Sequence, residues 1–237
     1  MGHDTLAAHR VAVYAAPAPG SDWWERGSEW LGRCARRRCG LPMPVIEGLD
    51  PAVQTALTAD PRRYGWHATL KAPMRLAPHA DLRALCDGLA AICQAHRLIE
   101  LHDLQVARLG SFLALRPAAP PAALGQLADD CVQRLQPLAA PLGQSELERR
   151  RRAPLSPEED ALMLAWGYPW VLHRYRFHFS LTGDLQGASD EVVERLQAAA
   201  REHFAGLPPL RLERLSIFIE PTPGADFVLL EQMELGA

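Results

Sequence analysis

The stretch 63–71 reads RYGWHATLK, and 111 residues further on the stretch 174–182 reads RYRFHFSLT. Each carries Arg-Tyr, a spacer, an aromatic, His, a second spacer, a hydroxyl residue and Leu. The likeness continues beyond the motif. The same shift sets SDEVVERLQAAAREHF over the helical stretch that begins near His79. It also sets LRLERLSIFIE over IELHDLQVARL, matching Leu101 with Leu212, Leu104 with Leu215 and Val106 with Ile217. After a small insertion, FVLL falls over FLAL. Each copy therefore reads strand–helix–strand–strand, and self-similarity on this scale points to two like units packed together. The expected fold is α+β: one domain over 1–237 made of two pseudo-symmetric lobes, with repeat units at about 63–117 and 174–235. Two mostly antiparallel sheets should line a central cleft about a pseudo-twofold axis, with helices packed outside.

Outside the repeat, HRVAVYAAP reads as an opening strand and SDWWERGSEWLGRCARRR as a helix capped by Ser21 or Asp22. A Pro- and Gly-rich connection runs to about Asp60. In the first copy, Leu82, Leu85, Leu89 and Ile92 share one helix face, and Gly110-Ser111 marks a hairpin. A helical region is expected over 121–142, and Ser156-Pro157-Glu158-Glu159 is a helix start. The run Arg149–Arg152 reads as a solvated helix end.

With 48% apolar and 22% charged residues in 237, the chain has the balance of a globular protein. A net charge of −3 points to neither nucleic acid nor an anionic membrane as a bulk electrostatic partner. Five cysteines without a CxxC pattern, a start without a signal-peptide plan and no apolar run of membrane length imply reduced thiols and a cytoplasmic protein. A monomer with no membrane partner is expected.

Side chains alternate faces along a strand. That rule sets Tyr64, Trp66, Ala68 and Leu70 against Arg63, Gly65, His67, Thr69 and Lys71. In the second copy Tyr175, Phe177, Phe179 and Leu181 oppose Arg174, Arg176, His178, Ser180 and Thr182. One face suits a core; the other is a row of cation, imidazole and hydroxyl that belongs in a wet cleft. Two imidazoles with ordinary pKa values of about 6.5 supply a base and an acid near neutral pH for in-line attack on phosphorus. Thr69, Ser180, Lys71 (the chain's one lysine) and Arg176 are the candidate phosphate contacts, and Tyr14 on the opening strand is a further one. No HExxH or HxH pattern marks a metal site, and no metal or cofactor is expected.

The pair His67-Ala68-Thr69-Leu70 and His178-Phe179-Ser180-Leu181 resembles the 2H phosphoesterase superfamily, the LigT-like cyclic phosphodiesterases. RVAVYAAP, WLGR, DPRRYGWHATLKAP, RRRRAPLSPEED, WGYPWVL and RFHFSLTG resemble more closely its DUF1045 branch of phosphonate-metabolism proteins. That branch more often carries Phe at the place of Trp66 and Thr at the place of Ser180. The resemblance implies a metal-independent phosphodiesterase acting on a small cyclic phosphodiester linked to phosphonate use, with His67 and His178 as the acid–base pair. A nucleoside 2′,3′-cyclic phosphate or an RNA end is the alternative substrate. A nucleotide- or RNA-binding module without turnover is the alternative from another class.

Overall fold

The structure, a computed structural model, describes residues 8–152 and 154–236; the opening residues 1–7, part of the start read above, lie outside it. Strand β1 (Arg10–Ala15) leads to helix α1 (Asp22–Leu31), whose first turn is capped by the Ser21 hydroxyl accepting from Trp24 N. A short ribbon, β2 (Arg33–Cys34) and β3 (Cys39–Gly40), follows. The connection expected to be irregular holds two helices, α2 (Pro51–Leu57) and α3 (Ala59–Tyr64). The signal for α2 was Asp50-Pro51, a capping carboxylate followed by a proline at the first helical position.

The first copy supplies β4 (Ala68–Met74), α4 (Leu82–Ala95), β5 (Ile99–Leu101), β6 (Leu104–Leu109) and β7 (Phe112–Pro117). Gly110 takes φ 60° at the expected hairpin. The region expected helical over 121–142 is α5 (Ala122–Leu135), closed by a 3-10 turn. Next come α6 (Gln144–Arg150) and α7 (Pro157–Trp166), the latter opened by a reciprocal Ser156–Glu159 capping box. The second copy supplies β8 (Phe179–Ser180), α8 (Asp190–His203), β9 (Leu210–Leu212), β10 (Arg214–Glu220) and β11 (Val228–Glu234). Among the described residues, no helix is long and apolar enough to cross a membrane.

The fold is α+β and antiparallel, as expected, but the two sheets are joined into one of seven strands, ordered β11-β10-β1-β4-β8-β7-β6. The copies exchange hairpins. Motif strand β4 of the first copy sits, across β1, beside the β10–β11 hairpin of the second. Motif strand β8 of the second sits against the β6–β7 hairpin of the first. The helices follow, α4 packing on β10 and β11 and α8 on β6. A separate ribbon of β5 and β9 ties the copies again. Each half of the sheet thus needs both copies, and β4 and β8 are left adjacent at its centre, paired at Ala68 and Phe179.

Beneath that centre, Trp66 stacks on Phe179 at 4.8 Å and on Phe204 at 5.3 Å. Helix α1 approaches this stack through Gly27, where an added Cβ would lie 2.0 Å from the indole of Trp66. Neither the buried indole nor the helix has room to yield. Gly27→Ala should therefore cost about 2–3 kcal/mol despite alanine's better helix propensity. A denaturant midpoint equal to or above that of the parent protein would contradict this packing.

Candidate active site

Ala68 and Phe179 face each other across β4 and β8, and both side chains are buried in the core. Extending the antiparallel register one residue each way sets His67 across from Ser180 and Thr69 across from His178. Alternation then puts these four side chains on the opposite face of the sheet. There they line one cleft of about 990 Å³.

The two imidazoles are held alike. His67 Nδ1–H donates to the Gly65 carbonyl at 2.8 Å, and His178 Nδ1–H donates to the Arg176 carbonyl at 2.8 Å. Each ring is thereby fixed in the tautomer that leaves Nε2 as the free nitrogen. Gly65 is required for the first of these bonds. Its φ of 81° is in the left-handed region, and a Cβ there would meet that of Ala35 at 2.7 Å. Tyr14 stacks on His67 with ring centroids 3.8 Å apart, and Phe112 lies 5.4 Å from His178. Burial lowers the His67 pKa to about 4, the Gly65 bond opposing the shift and the nearby His178 adding to it. His178 is also lowered, first by burial, against the Arg176 bond and with help from Arg116. Both rings therefore rest neutral at pH 7.

Neither the Thr69 nor the Ser180 hydroxyl bonds another described residue, so both are free to meet a ligand. Tyr14 lines the cleft, and its buried hydroxyl has no partner among the described residues. Arg176 lines it too, exposed and outside any ion pair among them.

Lys71 is not in the cleft. From Tyr14↔Thr69 to Val13↔Lys71, one step along β1 spans two along β4, so Leu70 is the extra residue of a bulge. Thr69 shares the face of Tyr14, while Lys71 shares that of the core residue Val13. Its ammonium is buried under α5, bonded to the Gln136 side chain and to the carbonyls of Val132 (3.4 Å) and Trp166 (3.3 Å). Burial lowers its pKa to about 8.

Tyr64 and Tyr175, expected in the core, both line the cleft. Tyr64 ends helix α3 instead of starting a strand, and its ring centroid is 6.0 Å from that of His67. The Tyr175 hydroxyl donates to the Thr69 carbonyl at 3.0 Å. Thr182, expected on the cleft face, borders the cleft but is almost wholly buried, and its hydroxyl accepts from Leu113 N at 3.0 Å, bracing the chain after β8 against β7. Sequence reading also missed Tyr168, Arg149 and Arg150 in the cleft wall. Among the described residues, no three His, Cys, Asp or Glu side chains gather as a metal-holding group.

A family model described as "Protein of unknown function (DUF1045)" matches residues 69–228, and the chain belongs to that family. Two curated proteins resemble it closely, each named ribose 1,5-bisphosphate phosphokinase PhnN. The one from Janthinobacterium sp. (strain Marseille) is 41% identical over 226 residues, covering 92% of this chain and 49% of the relative. The one from Laribacter hongkongensis (strain HLHK9) is 38% identical over 221 residues, covering 93% and 50%. The chain thus spans about half the length of the curated relatives it matches. Among solved structures, E. coli LigT complexed with phosphate is similar over 98% of this chain and 99% of that one, at 12% identity and a TM-score of 0.47. E. coli LigT complexed with 3′-AMP gives 97%, 99%, 12% and 0.45.

Proposed function

We propose that this protein is a metal-independent phosphodiesterase that opens a small cyclic phosphodiester, with His67 and His178 as its acid–base pair. The observation that carries this function is the paired arrangement at the sheet centre. Two imidazoles fixed through Nδ1 and two free hydroxyls share one face and one cleft.

His67 has the lower pKa and serves as the base, its Nε2 taking a proton from the attacking water. The water oxygen bonds to phosphorus as the bond to one ring oxygen breaks. His178, protonated, gives its Nε2 proton to that departing oxygen, leaving a phosphomonoester and a free hydroxyl. Thr69, Ser180 and Arg176 donate to the non-bridging oxygens as charge gathers there.

These assignments set the pH dependence of kcat/KM. Activity should fall below about pH 4 as His67 takes up a proton. It should also fall with rising pH as His178 loses its proton, at a value burial holds below the ordinary 6.5. The optimum is therefore mildly acidic, and His67→Gln removes the acid limb. A profile flat from pH 4 to 8 contradicts the pairing.

A ribose cyclic phosphate is the favoured substrate. Opening a cyclic phosphodiester at C1 of ribose 5-phosphate, with the new hydroxyl left on the neighbouring carbon, yields ribose 1,5-bisphosphate, the compound in the relatives' name. Such a step places this chain immediately before that phosphokinase, in phosphonate use. A nucleoside 2′,3′-cyclic phosphate is the second substrate to test, because Trp170 stands 46% exposed on the cleft wall as a stacking face for a base.

Phosphorus NMR of the purified protein with each compound decides between them. Conversion of a cyclic phosphate to a monoester, undiminished by EDTA, is expected. No conversion, or a loss with EDTA that zinc or manganese restores, overturns the function proposed.

A further inference from the structure

In the run Arg149–Arg152, Arg149, Arg151 and Arg152 are exposed, as a solvated helix end should be, but Arg150 is half-buried. Arg151 is clamped to Asp160 by two bonds, Nε at 2.7 Å and a terminal nitrogen at 2.8 Å, which pins the end of α6 to α7. Its neighbours Arg149 and Arg150 line the cleft. The Arg150 guanidinium lies 5.7 Å from the centre of the Tyr168 ring, and its Nε is buried without a hydrogen-bond partner among the described residues. Burial lowers its pKa, with Tyr168 and Glu146 opposing the shift and Arg149 and Arg10 adding to it.

Charge in the cleft is unevenly matched. Arg10 and Arg63 share the single carboxylate of Glu220, and Arg174 pairs with Glu158 and Glu159. Asp60 and Asp184 also line the cleft, but Arg149, Arg150 and Arg176 have no carboxylate within ion-pair distance among the described residues. A cyclic phosphodiester brings one negative charge for these three cations; a phosphomonoester brings nearly two more at neutral pH. Position separates the two demands. Tyr168 stands under Arg150, while Tyr64, also on the cleft wall, has its ring centroid 6.0 Å from that of His67. Arg150 and the two imidazoles line the same cleft, with Arg150 set on Tyr168 and His67 beside Tyr64.

We infer that Arg150, with Arg149 beside it, forms a second anion subsite for a phosphomonoester at the far end of the substrate. The substrate class is then a cyclic phosphodiester that carries a separate phosphate, an assignment that rests on the phosphodiesterase function above. The remote phosphate contributes binding and alignment without touching the reacting centre.

Calorimetric titration of the His67→Gln/His178→Gln variant with adenosine 2′,3′-cyclic phosphate, with and without a 5′-phosphate, tests the subsite apart from turnover. If the double variant does not melt cooperatively, either single variant serves. The 5′-phosphorylated compound should bind ~10–100-fold more tightly, the range of one or two charge-assisted hydrogen bonds. Adding Arg150→Ala should remove most of that preference, and Arg150→Lys should keep part of it, as charge without the planar fork. Arg176→Ala should weaken both ligands alike. Equal affinity of the two compounds in the parent variant overturns the subsite whatever the arginine variants do. So does an equal loss for both compounds in Arg150→Ala. A preserved preference with no hydrolysis of either compound by the wild-type protein sinks the phosphodiesterase function and leaves an anion site. No binding of either compound removes both.

Discussion

His67→Ala and His178→Ala should each lower kcat/KM for a cyclic phosphate by ~10²–10⁴-fold, the usual contribution of a positioned general acid or base. Neither ring anchors the core, since each is only partly buried and bonds through Nδ1 to a carbonyl two residues earlier. Both variants should therefore melt close to the parent temperature. The double variant should lose far less than the product of the single losses, because the two rings serve one proton-transfer cycle. Thr69→Ala and Ser180→Ala should lose less, as water replaces part of a neutral donor. Near-normal turnover in either histidine variant, with a cooperative melt, would leave the repeat without its chemistry.

The second large effect concerns stability and lies behind the cleft wall. The Glu220 carboxylate is fully buried and accepts from Arg10, Arg63 and the backbone N–H of Gly224 (2.9 Å). It ties β1, the end of α3 and the turn after β10 together. Glu220→Gln keeps the shape and removes the charge, leaving two guanidinium groups beside it without compensation. Breaking a buried pair from one side costs about 3–5 kcal/mol. Arg63 is 32% exposed, so the low end applies, about 3 kcal/mol. For a chain of this size that is a fall of roughly 10 °C in Tm. Burial opposes ionisation of Glu220, but the Arg10 bond and the adjacent charges outweigh it and hold its pKa below the usual range. The stabilisation is therefore complete above the unfolded pKa of about 4.3 and lost as pH falls through the lower folded value. Glu220→Gln should lack that acid loss. A Tm within about 2 °C of the parent at pH 7 would show the cluster to be energetically idle.

Much of the site was legible because it depends on local pattern. Alternation correctly buried Trp66, Ala68, Leu70, Phe177, Phe179 and Leu181. The duplicated motif correctly brought His67, Thr69, His178 and Ser180 to one cleft. What failed depends on strand partners, which sequence alternation does not encode. Lys71 follows Thr69 at a spacing of two and should share its face, yet the bulge at Leu70, visible only against β1, turns it into the core. The exchange of hairpins between copies was hidden for the same reason, since nothing within β6–β7 names β8 as its neighbour. Arg149 is exposed as the charge run implied, but Arg150 is half-buried over Tyr168, a contact with a residue beyond the next helix that the run itself does not encode. Two imidazoles near 6.5 were a fair expectation for exposed rings; burial in the cleft moves His67 to about 4.

The central claim is that both imidazoles meet one phosphate through Nε2. Nitrogen-15 spectra of the histidine rings, followed while inorganic phosphate is added, test it most directly. The rings of His67 and His178 should both start neutral with the proton on Nδ1, and both Nε2 signals should move with one shared half-saturation. A response from one ring alone, or a proton found on Nε2 in the free protein, would contradict the account.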